Sequence, residues 1–178
     1  MHSQVRSLVL LKVIGGLAVL TSYALAVGTV PGDVLWGDVP KNIQPLYTVN
    51  MFLAAGGYFL FTFYILFRLD PSTTRPFGLF GYRAFHLFYA LVLLPSAAWL
   101  PLTARMAEQP GLLSMSLVRI DLYLVAAGAL GLLFCVAALG SSTPKGRNLA
   151  IAGLVPFCLQ TIVLDAVVWP IFYPLAAP

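Results

Sequence analysis

Five uninterrupted apolar stretches, rich in Leu, Ala, Val and Phe, alternate along the chain with short segments that hold most of the charged residues. A helix needs about 20 apolar residues to cross the roughly 30 Å hydrocarbon core of a membrane. The strands of a membrane barrel would instead read as short segments of alternating polarity. The pattern therefore predicts five transmembrane helices, over residues 8–30, 45–67, 84–104, 117–139 and 149–173.

The connections between these spans are short, apart from the one over residues 31–44. Short connections place consecutive helices side by side and antiparallel. We therefore expect residues 1–178 to form a single all-α integral membrane bundle of five helices. The 31–44 loop should lie over one mouth of this bundle, where it could act as a lid.

The composition agrees with a protein that is surrounded by membrane lipid. Hydrophobic residues make up 60% of the chain and charged residues only 9%, too few to cover the surface of a soluble protein of this size. The net charge of +4 comes from single residues near the ends of the spans. It forms no basic stripe, so the sequence does not indicate a nucleic-acid partner.

Positive residues mark the N-terminus and alternate connections, at Arg6, Arg68, Arg75, Arg83, Lys145 and Arg147. Because cytoplasmic loops carry an excess of Lys and Arg, these ends of the spans are expected to face the cytoplasm. The N-terminus is then inside and the C-terminus outside, which only an odd number of spans allows. The sequence thus predicts a multi-pass protein of a bacterial inner membrane.

The N-terminus also has features of a secretory signal, since a basic start is followed by an apolar run and a small-x-small site at Ala24–Ala26. The apolar run is long for a signal peptide, however, and Lys12 interrupts it. We therefore expect the first span to be a membrane helix.

In the predicted orientation, polar side chains from several spans fall in the outer half of the bundle. Asp165 lies about 7 Å outward of the middle of its span, at 1.5 Å per residue. The candidate ligand-binding residues at this depth and in the adjoining loop are Trp36, Tyr47, Asn50, Trp99, Arg119, Asp121, Asp165 and Trp169. They indicate a pocket with a polar end.

Asp165 is the residue of this set that most needs a partner. A carboxylate at the centre of a membrane helix costs about 2.5–3.5 kcal/mol on insertion scales. It should face the bundle interior, and Arg119 is the nearest cation by depth. The pair has two interpretations, either an ion pair that only locks two helices together or one wall of a ligand site.

Other site chemistries are weakly represented. Cys135 and Cys158 are single cysteines within spans and are expected to behave as small apolar residues. His86 is the single histidine inside a span, and without a second His it is a poor candidate for a haem ligand. No phosphate loop, zinc spacing or catalytic triad occurs, so we predict neither a catalytic residue, a metal site nor a resident cofactor.

Three segments resemble the translocator protein family, also called tryptophan-rich sensory proteins. Leu91–Leu102 is similar to an apolar family helix that ends in Trp-x-Pro-Leu, and the short turn Gln109–Gly111 follows it as in the family. Leu164–Asp165 and then Trp169 stand where the family has Leu-Asn followed by Trp. Asp165 replaces the family's Asn, and the chain has three Trp where the family has many.

The resemblance implies a five-helix bundle with a ligand pocket that the loop between the first two helices closes. Family ligands are porphyrins and sterol-like molecules, and the family's proposed roles are transport, sensing and tetrapyrrole breakdown. We therefore expect a protein that binds, transports or senses a flat apolar ligand such as a tetrapyrrole or sterol-like lipid.

Two other functions remain open. Some small membrane isomerases of sterols use carboxylates and a Trp, so Asp121, Asp165 and Trp99 could serve an enzyme, although we expect none. Alternatively, the chain is a non-catalytic membrane subunit. Small residues on the first span, such as Gly15 and Gly16, also allow a close helix contact and a homodimer.

Overall fold

The computed structural model describes residues 2–26, 30–139 and 146–173, apart from the side chain of Val34. Helices fill most of these ranges, and no strand occurs within them. The α-helices are α1 (Ser3–Ala26), α2 (Gly32–Trp36), α3 (Gln44–Phe67), α4 (Arg83–Glu108), α5 (Leu112–Ala137), α6 (Arg147–Cys158) and α7 (Trp169–Ile171). Lys145, residues 27–29 of the first predicted span and the C-terminal residues 174–178 lie outside the described residues.

Five helices are long and apolar enough to cross a membrane, which confirms the predicted fold class. They are α1, α3, α4, α5 and a fifth span, Arg147–Ile171, that runs through α6 and α7. The largest boundary errors are five residues, at α1, which begins at Ser3 and not at residue 8, and at α5, which begins at Leu112 and not at residue 117. Arg119 and Asp121 therefore lie inside the helix, with Arg119 about 10 Å from its start at 1.5 Å per residue.

The helices alternate in direction, as the short connections predict. α1 and α4 run parallel, because successive residues of one lie beside successive residues of the other. The pairs are Ser7 with His86, Gly15 with Leu93 and Tyr23 with Trp99. By contrast, α3 runs antiparallel to the fifth span, with Gly57 beside Gly153 and Tyr47 beside Leu164. The α4–α5 and α5–α6 pairs are antiparallel as well.

This arrangement gives the bundle two distinct ends. We call the end at which α1 and α4 begin the basic end, because the described arginines Arg6, Arg68, Arg75, Arg83 and Arg147 lie there. We call the opposite end the loop end, because the segment that contains α2 lies there. Each half of the bundle has its own core of buried residues, around Phe61 and Tyr89 at the basic end and around Val118 and Trp169 at the loop end.

α1 lies on the outside of the bundle. It packs mainly on α4, and its other faces expose large apolar side chains such as Leu10, Ile14 and Leu17. In a membrane protein such surfaces lie against lipid tails. The small size of Gly15 serves this contact within the chain, since a Cβ atom at that position would lie 2.9 Å from the Cβ of Leu93 of α4. The predicted homodimer through α1 stays a prediction.

The closest approach of two helices occurs between α3 and α6 at Gly57 and Gly153. A Cβ atom on Gly57 would lie 2.9 Å from the carbonyl carbon of Gly153 and 3.0 Å from its α-carbon, and still closer to its carbonyl oxygen. Ordinary side chains cannot be accommodated at that spacing. The pair of glycines therefore fixes how close α3 and the fifth span can come, and it sets the geometry of the polar contacts described next.

Between α6 and α7 the fifth span changes helical type. Residues Leu159–Val168 form a π-helix, with hydrogen bonds between residues five apart. A π-helical turn is wider than an α-helical turn, so residues i and i+5 come to lie over each other. This stretch includes Asp165.

Candidate functional site

A polar network joins α3 to the fifth span in the loop half of the bundle. The side-chain amide of Asn50 donates to the carbonyl oxygen of Pro156 at 3.1 Å and to Oε1 of Gln160 at 3.0 Å. Gln160 in turn donates through Nε2 to Oδ1 of Asp165 at 2.8 Å. Asn50 and Gln160 are both buried. The network thus gives the intramembrane carboxylate a donor from a neutral amide.

Tyr47 reinforces the same interface one turn nearer to the loop end. Its hydroxyl donates to the carbonyl oxygen of Leu164 at 2.7 Å, and its side chain is almost completely buried. Leu164 belongs to the π-helical stretch, and its carbonyl oxygen also accepts from the backbone N–H of Trp169. The Tyr47 hydroxyl is thus a second donor to this carbonyl, and it links α3 to the fifth span.

The predicted pairing of Arg119 with Asp165 is wrong. Arg119 donates through Nη2 to the carbonyl oxygen of Pro170 at 3.4 Å, and no ion pair links it to Asp165 in the part of the chain that is described. The reason is the wide turn of the π-helix. It places Asp165 over Gln160, which contacts α3, so the carboxylate is satisfied on the α3 side and not on the α5 side.

Aromatic side chains form a wall beside this network. The ring centroids of Trp99 and Trp169 are 6.2 Å apart, and the Tyr23 ring lies 6.3 Å from that of Trp99. Tyr173 lies 4.6 Å from Trp169 in a tilted arrangement. We call Tyr23, Trp99, Trp169 and Tyr173 the aromatic wall. Trp36, from α2, is set edge-on against Tyr47 at 5.7 Å.

The loop that carries α2 is fastened to the end of the fifth span. The indole N–H of Trp169 donates to the carbonyl oxygen of Leu35 at 2.9 Å. The backbone N–H of Asp38 donates to the carbonyl oxygen of Phe172, also at 2.9 Å. Gly37 has a φ of 54° and faces the Tyr173 ring at a distance that leaves no room for a Cβ atom. The loop therefore covers this end of the bundle, as predicted, although its role as a lid stays a prediction.

Four buried polar atoms near the aromatic wall have no hydrogen-bond partner among the described residues. They are Trp99 Nε1, Thr103 Oγ1, Arg119 Nε and Asp121 Oδ2. Thr103 is fully buried and Asp121 is only 6% exposed. Buried polar groups in proteins almost always have a partner, so each exception requires an explanation. We call this set the orphan cluster.

Helix register brings members of the orphan cluster to one depth. Val92 of α4 lies against Gly128 of α5. Trp99 lies seven residues further along α4, and Asp121 lies seven residues back along the antiparallel α5. Since seven residues are close to two helical turns, Trp99 and Asp121 lie at the same level at the α4–α5 interface.

The eight predicted site residues therefore fall into connected groups. The polar network contains Tyr47, Asn50 and Asp165, and Trp36 packs against Tyr47. The aromatic wall contains Trp99 and Trp169. The orphan cluster contains Arg119 and Asp121. Sequence reasoning missed Gln160 and Thr103. A signal for both was present, because each is a polar residue within an apolar span.

The remaining candidates for site chemistry lie outside these groups. His86 shares a hydrogen bond of 2.8 Å between its Nε2 and the hydroxyl of Ser7, while its Nδ1 is buried without a partner among the described residues. Cys135 and Cys158 are free and buried. Within residues 2–26, 30–139 and 146–173, no three His, Cys, Asp or Glu side chains come together as a metal site.

Comparison with known proteins gives no relative, because no protein-family model, characterised protein or solved structure matches this chain. The resemblance to the translocator protein family therefore stays a prediction from the sequence.

Proposed function

We propose that this protein binds a flat apolar ligand with a polar group, of the tetrapyrrole or sterol-like class, in order to transport or sense it. The site lies in the loop half of the bundle, between α4, α5 and the fifth span. The observation that carries the proposal is the orphan cluster next to the aromatic wall.

The four polar atoms of the orphan cluster lower the stability of the ligand-free fold as long as they stay unpaired. A buried donor or acceptor without a partner costs about 1–3 kcal/mol, which is a large share of the roughly 5–15 kcal/mol by which a typical fold is stable. A ligand with oxygen or nitrogen atoms would supply partners for them. In the polar network, by contrast, Asn50 and Gln160 have partners within the bundle.

The aromatic wall supplies the reason for a flat ligand. Trp and Tyr rings offer large planar surfaces and favour stacked or edge-on contact with other rings. Three residues of the wall, Tyr23, Trp99 and Trp169, lie within the candidate membrane spans, so an apolar molecule could reach them from the bilayer. The ligand would place its rings against Trp99 and its polar group toward Asp121.

A second candidate function is a small membrane enzyme of the sterol-isomerase type. The observation in its favour is Asp121, because a buried carboxylate oxygen without a partner is suited to general acid–base chemistry. Turnover of a sterol substrate that is lost in Asp121→Asn, with sterol binding retained, would favour the enzyme over the binding protein.

Thr103→Val tests the binding proposal. The substitution removes an orphan hydroxyl with little change of shape, so the ligand-free protein should be as stable as the wild type or slightly more stable. Affinity for protoporphyrin IX or cholesterol, measured by thermal shift in detergent, should fall about fivefold or more if the ligand supplies that partner.

Thr48→Val is the matched control. Thr48 lies in the same half of the bundle, but its exposed hydroxyl bonds its own helix at the carbonyl of Gln44. This variant should retain wild-type affinity. Equal affinity in Thr103→Val and wild type, for both ligands, would contradict the proposed site.

We also infer that the protein resides in a bacterial inner membrane, with the basic end in the cytoplasm. The arginines of the basic end support this orientation under the positive-inside rule. Reporter fusions at Met1 and Pro178 should report opposite sides of the membrane, and reporters on the same side would refute it.

A further inference from the structure

The basic end contains a second concave surface that the proposed function does not use. A cavity of about 400 Å³ lies between the start of α4, the end of α5 and the segment before α4. Ligand sites in proteins measure about 300–1,000 Å³. Apart from Arg83 its lining is apolar or glycine, namely Phe77, Phe80, Gly81, Ala84, Leu87, Phe88, Gly131, Phe134 and Cys135.

The cavity spans the boundary between headgroups and hydrocarbon. Arg83 is the first residue of α4, and Leu87 and Phe88 lie roughly 6–8 Å deeper at 1.5 Å per residue. On the other wall, Phe134 and Cys135 belong to the last turn of α5, which ends at Ala137. A molecule in the cavity would therefore have one end at the membrane surface and the other among lipid tails.

Arg83 is the cation at the mouth of this cavity, and it is free to bind a ligand. Its side chain is exposed and makes no hydrogen bond or ion pair with the residues that the structure describes. Two other arginines of this end already have hydrogen-bond partners. Arg147 donates to the carbonyls of Val136 and Ala137, and Arg75 donates to that of Thr74.

The charge of the basic end favours an anionic occupant. Its one acidic side chain in the described part, Asp70, is held by the backbone N–H and hydroxyl of Ser72, at 2.9 and 2.7 Å. Basic pockets on this side of membrane proteins bind acidic headgroups, and a guanidinium suits a phosphate.

The segment before α4 adds apolar surface around the opening. Phe77 and Phe80 are both more than half exposed, and Leu79 is 83% exposed. Such side chains are unfavourable in water but suited to the membrane interface. A free phosphate would use none of this surface, whereas a lipid would use both the surface and the guanidinium.

We propose that this cavity binds one anionic phospholipid, with an acyl chain along Leu87 and Phe134 and the phosphate on Arg83. The test is native mass spectrometry of the delipidated, detergent-purified full chain, with phosphatidylglycerol and phosphatidylcholine that carry the same acyl chains. The wild type should prefer phosphatidylglycerol about tenfold, which corresponds to about 1.4 kcal/mol.

Two variants separate the headgroup from the chain. Arg83→Gln should abolish the preference and leave weak, equal binding of both lipids. Ala84→Leu adds apolar volume inside the cavity and should weaken both lipids while the preference remains. Arg105→Gln is the matched control, because Arg105 is an exposed arginine at the other end of the same helix. It should bind lipid as the wild type does.

Several results would overturn the proposal. A preference that survives in Arg83→Gln, or that Arg105→Gln loses to the same extent, would show attraction to the whole charged surface. Displacement of phosphatidylglycerol by millimolar inorganic phosphate would show that the cavity holds no acyl chain. A lipid-free dimer that Ala84→Leu disrupts would identify a second copy of this chain as the occupant.

Discussion

Replacing Gly57 by Ala should separate α3 from the fifth span. The added Cβ would lie 2.9 Å from the carbonyl carbon and 3.0 Å from the α-carbon of Gly153. These are backbone atoms that no rotamer change can move aside. The two helices would therefore have to move apart, and the hydrogen bonds of Asn50 to Gln160 at 3.0 Å and of Tyr47 to Leu164 at 2.7 Å would lengthen with them.

The magnitude follows from three contributions. Overpacking of this kind costs about 1–3 kcal/mol. Each weakened interhelical hydrogen bond adds about 0.5–1.5 kcal/mol. The higher helix propensity of Ala stabilises the variant by up to about 1 kcal/mol relative to Gly and offsets part of this loss. We therefore expect Gly57→Ala to lower the free energy of unfolding by about 2–4 kcal/mol.

Gly56→Ala provides the control, because no atom lies within 4 Å of a Cβ at that position. It should be neutral or more stable by up to about 1 kcal/mol. The assay is reversible unfolding in mixed micelles by increasing the mole fraction of a denaturing detergent. Equal stability of the two variants would refute the close helix contact and the polar network that depends on it.

Three further outcomes are expected. Asp165→Asn should keep most of the stability, because the new amide oxygen can still accept from Gln160. Asp165→Ala should lower the free energy of unfolding by about 1–3 kcal/mol in the same assay, since it leaves the buried amide of Gln160 without this acceptor. Trp169→Phe removes the indole donor to the α2 loop, so that loop should show faster amide hydrogen exchange than in the wild type. Hydrogen bonds from Ser72 lower the pKa of the Asp70 carboxyl from its ordinary 3.8, and the stabilisation that results is present at neutral pH and lost as the pH falls through the lowered pKa. Ser72→Ala should raise this pKa in a carboxyl NMR titration. An unchanged pKa would contradict the contact between Ser72 and Asp70.

Much of the fold could be predicted from the sequence, because a membrane imposes a simple rule on length and polarity. Five apolar runs give five helices, and the short connections give their alternating directions. Tyr47 and Asn50 are candidate site residues from the sequence, and both are buried at helical spacing with Ala54 and Gly57 on one face of α3.

The candidate site was less predictable for a specific reason. The π-helical stretch changes the periodicity, so Gln160 and Asp165 meet although they are five residues apart. Depth alone pairs Asp165 with Arg119, and depth leaves the direction of each side chain around its helix axis undefined. The start of α5 was a separate error, since the predicted span begins at residue 117 and the helix at Leu112, so Arg119 and Asp121 lie further inside the helix than predicted. Depth could be predicted from the sequence, but orientation around the helix axis could not.

Binding of a flat apolar ligand between the aromatic wall and the orphan cluster can be tested by photo-crosslinking of the purified protein with a photoreactive sterol, followed by mass spectrometric mapping of the labelled residues. We expect labels on α4 near Trp99 and on α5 near Asp121, and we expect excess protoporphyrin IX to reduce them. Labels confined to the lipid-facing surface of α1, or unaffected by the competitor, would contradict binding at this site.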